Sequence, residues 1–170
     1  MRAYIGLGSN LGDRDANLRL ALGLLAELPG VRVEAISRVY ESAAVGPGDQ
    51  GPYLNAAVEL SCEQTPQALL AALLEIELRA GRDRGADIER WAARTLDLDL
   101  LFYADACIDQ PGLSVPHPRL DERSFVLEPL CDLAPELVHP RKGIATSELA
   151  RKLRDRSALE LWPEPLEVPR

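Results

Sequence analysis

Alternating and helical patterns of apolar residues divide the N-terminal part of the chain into predicted elements. Short apolar or alternating runs predict strands over residues 3–8, 31–40, 53–60 and 95–102. Two runs with helical spacing predict helices with apolar stripes at Leu18, Ala21, Leu22, Leu25 and Leu28 and at Leu69, Leu73, Ile76 and Ala80. The order of elements predicts an α+β fold, a ferredoxin-like βαββαβ plait with helices flanking an antiparallel sheet.

Residue types at the ends of both predicted helices support this division. Asp13 is a candidate N-cap for the first helix, and the Pro-Gly pair at 29–30 ends it. Thr65 is the candidate N-cap of the second helix, because its hydroxyl can accept from a free backbone N–H, and Pro66 suits the first helical position. Gly81 follows the end of this second helix, where glycine is the favoured residue.

Beyond residue 104 the pattern predicts a C-terminal extension. It comprises short extended pieces, helices over residues 125–133 and 147–153, and an irregular tail from Trp162. No repeat, low-complexity tract or flexible linker divides the chain, so we expect one domain over residues 1–170.

Composition and charge narrow the class of protein. The chain has 170 residues and a formal net charge of −8, which disfavours broad attraction to nucleic acid. It has no apolar run long enough to span a membrane and no signal-peptide pattern at its start. Its three cysteines lack the spacing of a disulfide framework or a thiolate zinc site. We therefore expect a cytoplasmic protein with a small ligand and neither nucleic acid nor a membrane as partner.

Two aspartates on the last predicted strand carry the strongest chemical signal. Side chains alternate along a strand, so Asp97 and Asp99 share one face, about 7 Å apart, with the neighbouring leucines on the other. Their repulsion would cost about 2 kcal/mol at an effective dielectric constant of 20. A magnesium ion that also binds substrate phosphates would remove this cost. The alternative is an amphipathic edge strand with a solvated charged face.

Arginines are concentrated just before this aspartate pair. Five of them fall between residues 79 and 94, and the guanidinium group suits bidentate contacts to phosphate. A solvated loop is the alternative. His117, held between two prolines, could donate to a phosphate oxygen, although a histidine in such a turn is more often incidental. Metal ligands beside phosphate-binding cations are what phosphoryl transfer requires.

A flat heterocycle could bind at Tyr53 and Asn55, which share one face of their predicted strand. An aromatic plane can stack on such a ligand and the amide can bond to its edge, while a cross-strand aromatic contact is the alternative. The glycines at 6, 8 and 12 follow GxGxxxG rather than the dinucleotide pattern GxGxxG, so residues 8–10 are interpreted as a strand-to-helix turn.

Together these segments resemble the hydroxymethyl-dihydropterin pyrophosphokinases of folate biosynthesis. The resemblance runs from Tyr4 to about Pro140 and is carried by residues 4–12, 46–50, 53–58, 81–82, 90–91, 94–100, 115–117 and 123–125. The Arg-Thr-Leu-Asp-Leu-Asp segment at 94–99, combined with Val-Pro-His at 115–117, is highly specific. The resemblance implies transfer of pyrophosphate from MgATP to the hydroxymethyl group of the dihydropterin, with release of AMP.

The resemblance also implies roles for individual residues. Asp97 and Asp99 would hold two Mg²⁺ ions, and the catalytic set would be completed by Arg82, Arg94 and His117. Pterin would bind at Gly8, Ser42, Val45, Tyr53, Asn55 and Phe125. ATP would bind at Glu77, Arg84, Arg94, Leu100, Ser114, His117 and Arg123. The expected partners are ATP and a reduced pterin, and the expected state is a monomer.

A second hypothesis of a different class is a non-catalytic module that senses a small ligand on the same plait. It rests on fold analogy alone and leaves the aspartate pair unexplained.

Overall fold

The computed structural model describes residues 1–44, 50–81, 93–153 and 158–169. Its helices are α1 (Arg14–Ala26), α2 (Pro66–Arg79), α3 (Ser124–Leu133) and α4 (Thr146–Leu153). Its strands are β1 (Arg2–Ser9), β2 (Val31–Ile36), β3 (Tyr40–Ser42), β4 (Tyr53–Cys62), β5 (Asp97–Tyr103), β6 (Ile108–Gln110), β7 (Leu113–Val115), β8 (Val138–His139), β9 (Ile144–Ala145) and β10 (Leu159–Leu161).

The main sheet has six strands, all paired in antiparallel fashion. Its order is β10-β3-β4-β1-β5, and β2 pairs with β4 beyond the end of β3. With β2 and β3 taken as one interrupted strand, this is the predicted ferredoxin-like arrangement, and the fold class is confirmed.

Local signals determine where the two helices of the plait begin. The Asp13 carboxylate accepts from the backbone N–H of Ala16 at 3.0 Å. The Thr65 hydroxyl accepts from the N–H of Ala68 at 3.2 Å. Gly81 follows α2 with a φ of +83°, a conformation that glycine adopts without steric cost. The helix-end predictions are therefore confirmed.

The two faces of the sheet are covered by different helices. Helices α1 and α2 bury their leucine stripes against Ile5, Val58 and Leu98 on one face. Helices α3 and α4, from the C-terminal extension, pack against Tyr4, Leu101 and Phe102 on the other. The second core covers only one end of its face, and the other end carries the polar residues of the site.

Three sequence predictions about elements need correction. The strand predicted over 31–40 is two strands, because the Ser37 hydroxyl accepts from the N–H of Ala57 at 2.8 Å and takes a backbone position in the ladder. The strand predicted from residue 95 begins at Asp97, since the Thr95 carbonyl accepts instead from the Ser9 hydroxyl. Strand β10, just before the irregular tail, was not predicted.

No helix among the described residues is long and apolar enough to cross a membrane.

Candidate active site

The floor of the candidate site is formed by three adjacent strands. Gly8 of β1 lies opposite Asn55 of β4 on one side and Asp97 of β5 on the other. Two residues earlier on β1, Gly6 lies between Ala57 of β4 and Asp99 of β5. A Cβ atom at Gly8 would come within 3.7–3.9 Å of Tyr53, Asp97 and Asn55, so glycine here leaves the floor low and open. Because Gly6 and Gly8 have no side chains, β1 leaves space between Asn55 on β4 and the two aspartates on β5.

A cavity of about 500 Å³ opens above this floor. The residues predicted to bind pterin that line it are Gly8, Ser42, Tyr53, Asn55 and Phe125. Arg123, predicted to bind ATP, also lines it. Tyr53 and Asn55 come from the start of β4, whereas Phe125 comes from the first turn of α3. The C-terminal extension therefore supplies one wall of the cavity, which local sequence patterns do not reveal.

A second cavity of about 370 Å³ adjoins the first. Three residues predicted to bind ATP, Glu77, Leu100 and Ser114, line this second space. Both cavities are lined by Arg94, Asp97, Asp99 and His117. The structure thus brings the residues predicted for pterin and for the nucleotide into two neighbouring spaces, with the aspartate pair at their junction.

Each aspartate of the pair faces an arginine. Arg94 Nη1 donates to Asp97 Oδ1 at 2.8 Å, and Arg123 Nη1 donates to Asp99 Oδ2 at 3.3 Å. Burial raises the pKa of the Asp99 carboxyl, and the neighbouring Asp97 charge raises it further, while His117 and the arginines oppose the shift. The site therefore holds two negative charges close together and compensates them with cations from two other segments.

His117 is fixed by its own turn and faces Asp99. Its backbone N–H donates to the Leu101 carbonyl at 2.9 Å, which ties the turn to β5. Its Nδ1 accepts from the Arg119 N–H at 3.2 Å, so the neutral ring carries its proton on Nε2. That nitrogen lies 3.8 Å from Asp99 Oδ1. Burial lowers the pKa of His117, and Asp99 opposes the shift.

Asn55 uses one end of its amide for the fold and presents the other near the cavity floor. Its Nδ2 donates to the Ser42 hydroxyl at 2.9 Å and to the Tyr40 carbonyl at 3.2 Å. Its Oδ1 is directed towards Gly8, within 3.9 Å of the position that a Cβ atom would take there. The orientation leaves an acceptor on the floor of the cavity, where a flat ligand with N–H groups on its edge could donate.

Glu77 has a structural contact as well as its place beside the second cavity. It is 1% exposed, and its Oε1 accepts from the backbone N–H of Leu98 at 2.7 Å. Leu98 lies between the two aspartates, so this bond holds the segment of β5 from which both carboxylates project.

Asn10 is a site residue that sequence reasoning missed, because residues 8–10 were interpreted only as a turn. It exchanges backbone and side-chain bonds with Arg94: its N–H donates to the Arg94 carbonyl at 3.1 Å, and its Oδ1 accepts from the Arg94 N–H at 2.7 Å. Its Nδ2 donates to Gln50 Oε1 at 3.3 Å. The turn thus links Arg94 to the segment before Tyr53. The only sequence signal was an amide side chain directly after the first strand.

Three predicted residues, Val45, Arg82 and Arg84, lie outside the described residues.

The donor set at Asp97 and Asp99 suits magnesium. The described residues contain no group of three or more His, Cys, Asp or Glu side chains that could hold a metal ion. Magnesium needs no such cage, because one or two carboxylates, water and substrate phosphates usually complete its shell. Both side chains keep about a quarter or more of their surface exposed, at 25% and 30%, and so remain accessible from the cavities.

Comparison with known proteins assigns the chain to a family. Residues 4–135 match the model of the 7,8-dihydro-6-hydroxymethylpterin-pyrophosphokinase (HPPK) family. The 2-amino-4-hydroxy-6-hydroxymethyldihydropteridine pyrophosphokinase of Synechocystis sp. is 42% identical over 161 residues, covering 95% of this chain and 79% of the relative. The protein of the same name from Haemophilus influenzae is 38% identical over 161 residues, covering 95% of this chain and 98% of the relative.

Solved structures agree on the fold. The crystal structure of wild-type Plasmodium falciparum HPPK-DHPS with pterin and p-hydroxybenzoate superposes with a TM-score of 0.71 at 17% identity. The match covers 91% of this chain but only 42% of the Plasmodium chain, so the protein spans less than half of that longer polypeptide. The family match over most of the chain, the identity to curated relatives and the shared fold lead to one conclusion: the protein belongs to the HPPK family.

Proposed function

We propose that the protein transfers a pyrophosphoryl group from ATP to the hydroxymethyl group of 6-hydroxymethyl-7,8-dihydropterin and releases AMP. The observation that carries the proposal is the position of Asp97 and Asp99, which line both cavities at their junction. A ligand in each cavity would bring its reacting end to this pair. Relatives at 38–46% identity carry the name of this activity.

The first cavity would bind the pterin. Tyr53 and Phe125 would stack on its two faces, and Asn55 Oδ1 would accept from its edge, with Gly8 and Ser42 completing the slot. Val45 is proposed to contribute a backbone group. The amide of Asn55 is held in the accepting orientation by its bonds to Ser42 and Tyr40, so little ordering remains for binding.

The second cavity would bind the nucleotide. Leu100, Ser114 and Glu77 would contact it, and Arg84 is proposed to add a cation from outside the described residues. The phosphates would extend from there towards Arg94, His117 and Arg123. Positive charge from these side chains would counter the charge of the triphosphate.

Asp97 and Asp99 would hold two magnesium ions on the phosphates. When bound, magnesium would neutralise phosphate charge and favour an in-line displacement at phosphorus. In the proposed reaction the pterin hydroxymethyl oxygen attacks the β-phosphorus. The bond from that phosphorus to the oxygen bridging it to the α-phosphorus breaks, this oxygen leaves with AMP, and the proton of the hydroxymethyl group is released to water.

The chain's own side chains would orient and stabilise the transferring group. Arg94 and Arg82 would donate to its oxygens as charge redistributes over them, and His117 would donate from Nε2. The bond from the Arg119 N–H to Nδ1 keeps the His117 proton on the nitrogen that faces the site. We further propose that the protein acts in the cytoplasm as a monomer.

Product analysis tests this function. Incubation with MgATP and the hydroxymethyl pterin, followed by separation of nucleotides and pterins, should give AMP and the pterin diphosphate in equal amounts. Chelation of magnesium should stop turnover, and its return should restore it. ADP as the sole nucleotide product would indicate an ordinary kinase. Ligand binding with no ATP consumed would support the sensing module instead.

A further inference from the structure

The C-terminal segment adds a strand to the sheet beside the first cavity. Strand β10 pairs with β3, with Leu159 opposite Ser42 and Leu161 opposite Tyr40. The Trp162 N–H then donates to the Val39 carbonyl at 3.0 Å. Strand β3 has only three residues, so its position depends on neighbours on both sides. The tail is thus part of what holds Ser42 at the cavity.

Arg14, at the start of α1, joins this tail to β3 and β4, two of the strands that carry pterin-slot residues. Its Nη1 donates to Glu41 Oε2 at 2.7 Å and to the Pro52 carbonyl at 2.9 Å. Its Cζ lies 5.2 Å from the centre of the Trp162 ring. Glu41 is the neighbour of Ser42 in the chain, and Pro52 is the neighbour of Tyr53. One guanidinium group therefore connects the end of β3, the start of β4 and the tail.

Trp162 is held by packing and by the arginine charge. Its Nε1 is buried and has no hydrogen-bond partner within the described parts of the chain. Further along the chain, Leu166 is buried in the core beneath α1 and α2, and Arg19 Nη2 donates to the Pro165 carbonyl at 3.1 Å. The ring is therefore fixed between β10 and an anchored stretch of tail, and its face is available to Arg14.

We propose that Arg14, stacked on Trp162, is a positioning residue for the pterin side of the reaction. It braces the paired ends of β3 and β4, where Ser42 lies opposite Tyr53, through Glu41 and the Pro52 carbonyl, without touching substrate itself. The nucleotide side is independent of it, because Leu100, Ser114 and the aspartate pair belong to β5 and the β6–β7 hairpin. The inference rests on the proposed function, which assigns Ser42 and Tyr53 to the pterin.

The consequence is a selective loss of pterin affinity. Arg14→Met keeps most of the side-chain length but removes the donors and the charge, so the two strand ends lose their common partner. Trp162→Ala removes the surface on which the guanidinium group lies. We expect each variant to raise the Kd for the dihydropterin at least fivefold, measured by calorimetry with a non-hydrolysable ATP analogue present. The Kd for the analogue should stay within twofold of wild type.

Because the two residues act as a unit, their effects should not add. The pterin Kd of the double variant should lie within twofold of the Kd of the weaker-binding single variant. Arg32→Met is the matched control: Arg32 pairs with Glu34 on β2 and lines neither cavity, and the pterin Kd of this variant should equal that of wild type. Trp162→Phe keeps an aromatic face and should recover most of the lost affinity, which a general loss of stability would not predict.

The outcomes separate this inference from the function on which it rests. The positioning role is wrong if wild type and Arg14→Met bind the dihydropterin with the same Kd. It is also wrong if the substitution raises the Kd for both ligands to the same extent. If wild type binds the ATP analogue but not the dihydropterin, the proposed function itself is wrong. Should Arg14→Met not fold, the Trp162→Ala and Trp162→Phe pair decides by the same two Kd values.

Discussion

The same tripeptide, His-Pro-Arg, occurs twice in the protein, at residues 117–119 and 139–141, in two very different surroundings. In both copies the arginine N–H donates to the histidine Nδ1, at 3.2 Å and 3.3 Å. Both turns therefore fix the same neutral tautomer, with the proton on Nε2. In both copies burial lowers the histidine pKa.

The two rings then meet different neighbours. The His117 ring is 20% exposed and lies beside Asp99, between the two cavities. His139 is 5% exposed and packs edge-on against Phe102, with ring centres 5.7 Å apart and planes at 79°. The local turn determines which nitrogen can donate, and the tertiary environment determines whether a ligand could receive that bond. The comparison predicts that His117 serves chemistry and His139 serves stability.

The largest expected effect comes from Asp99, the carboxylate beside His117. Asp99→Asn keeps the shape but removes the charge that would hold magnesium, so we expect kcat to fall about 100- to 1,000-fold, or about 3–4 kcal/mol. The melting temperature should be unchanged or higher, since repulsion from Asp97 disappears. Measurement is by AMP production and thermal unfolding.

Asp121→Asn is the matched control for this variant. Asp121 forms an ion pair with Lys142 in the region of His139, and it lines neither cavity. Its kcat should stay within twofold of wild type. Equal losses of activity in the two variants would remove the distinction between the two regions.

His139→Ala should have the next largest effect, and on stability alone. The substitution leaves a cavity beside Phe102 in the second core, and we expect the free energy of unfolding to fall by about 2–3 kcal/mol. Urea unfolding measures this change, and kcat per folded molecule should be retained. A variant with normal stability and reduced kcat would assign His139 to the chemistry.

His117→Ala should show the opposite pattern. Loss of the Nε2 donor facing Asp99 should lower kcat about 10- to 100-fold, equivalent to about 1.4–2.7 kcal/mol. The free energy of unfolding, measured in urea, should change by less than about 1 kcal/mol, because the ring lies at a cavity wall rather than in a core. Wild-type kcat in this variant would exclude His117 from the mechanism.

The smallest effect is a pH dependence of stability that depends on His139. Its environment contains the negative charge of Asp121 and the positive charges of Lys142 and Arg141, and burial lowers its pKa below 6.5. The unfolded chain therefore takes up a proton first as pH falls. The stability contributed by the neutral His139 ring is complete above about pH 6.5. It is lost as pH falls below this value, by at most about 1.4 kcal/mol per pH unit.

Urea unfolding at pH 7.5 and 5.5 checks this prediction. The decrease in stability between these values should be larger in wild type than in His139→Phe, which keeps an aromatic ring beside Phe102 without a titrating group. Equal decreases would show that other groups account for the acid sensitivity.

Sequence patterns identified most of the fold because the relevant signals are local. Asp13, Thr65 and Gly81 mark helix ends through bonds and backbone angles within a few residues of themselves. The interruption at Ser37 and the edge strand β10 escaped prediction, because each depends on a partner strand that is distant in the chain.

Part of the candidate site could also be predicted from local patterns, and part of it could not. Asp97, Asp99, Tyr53 and Asn55 follow from strand alternation, whereas the contacts of Asn10 and Arg14 do not.

The sequence by itself determined the βαββαβ order of the plait and the side-chain pairs that share a strand face, because periodicity and capping act over one or two turns. Its motifs carried the resemblance to the family. Tertiary structure alone decided which of two identical His-Pro-Arg turns faces a cavity. It also decided that a tail strand pairs with β3 and that a tail tryptophan lies beneath Arg14. These outcomes depend on contacts between residues tens of positions apart, and burial, charge and access to a ligand arise only when such contacts form.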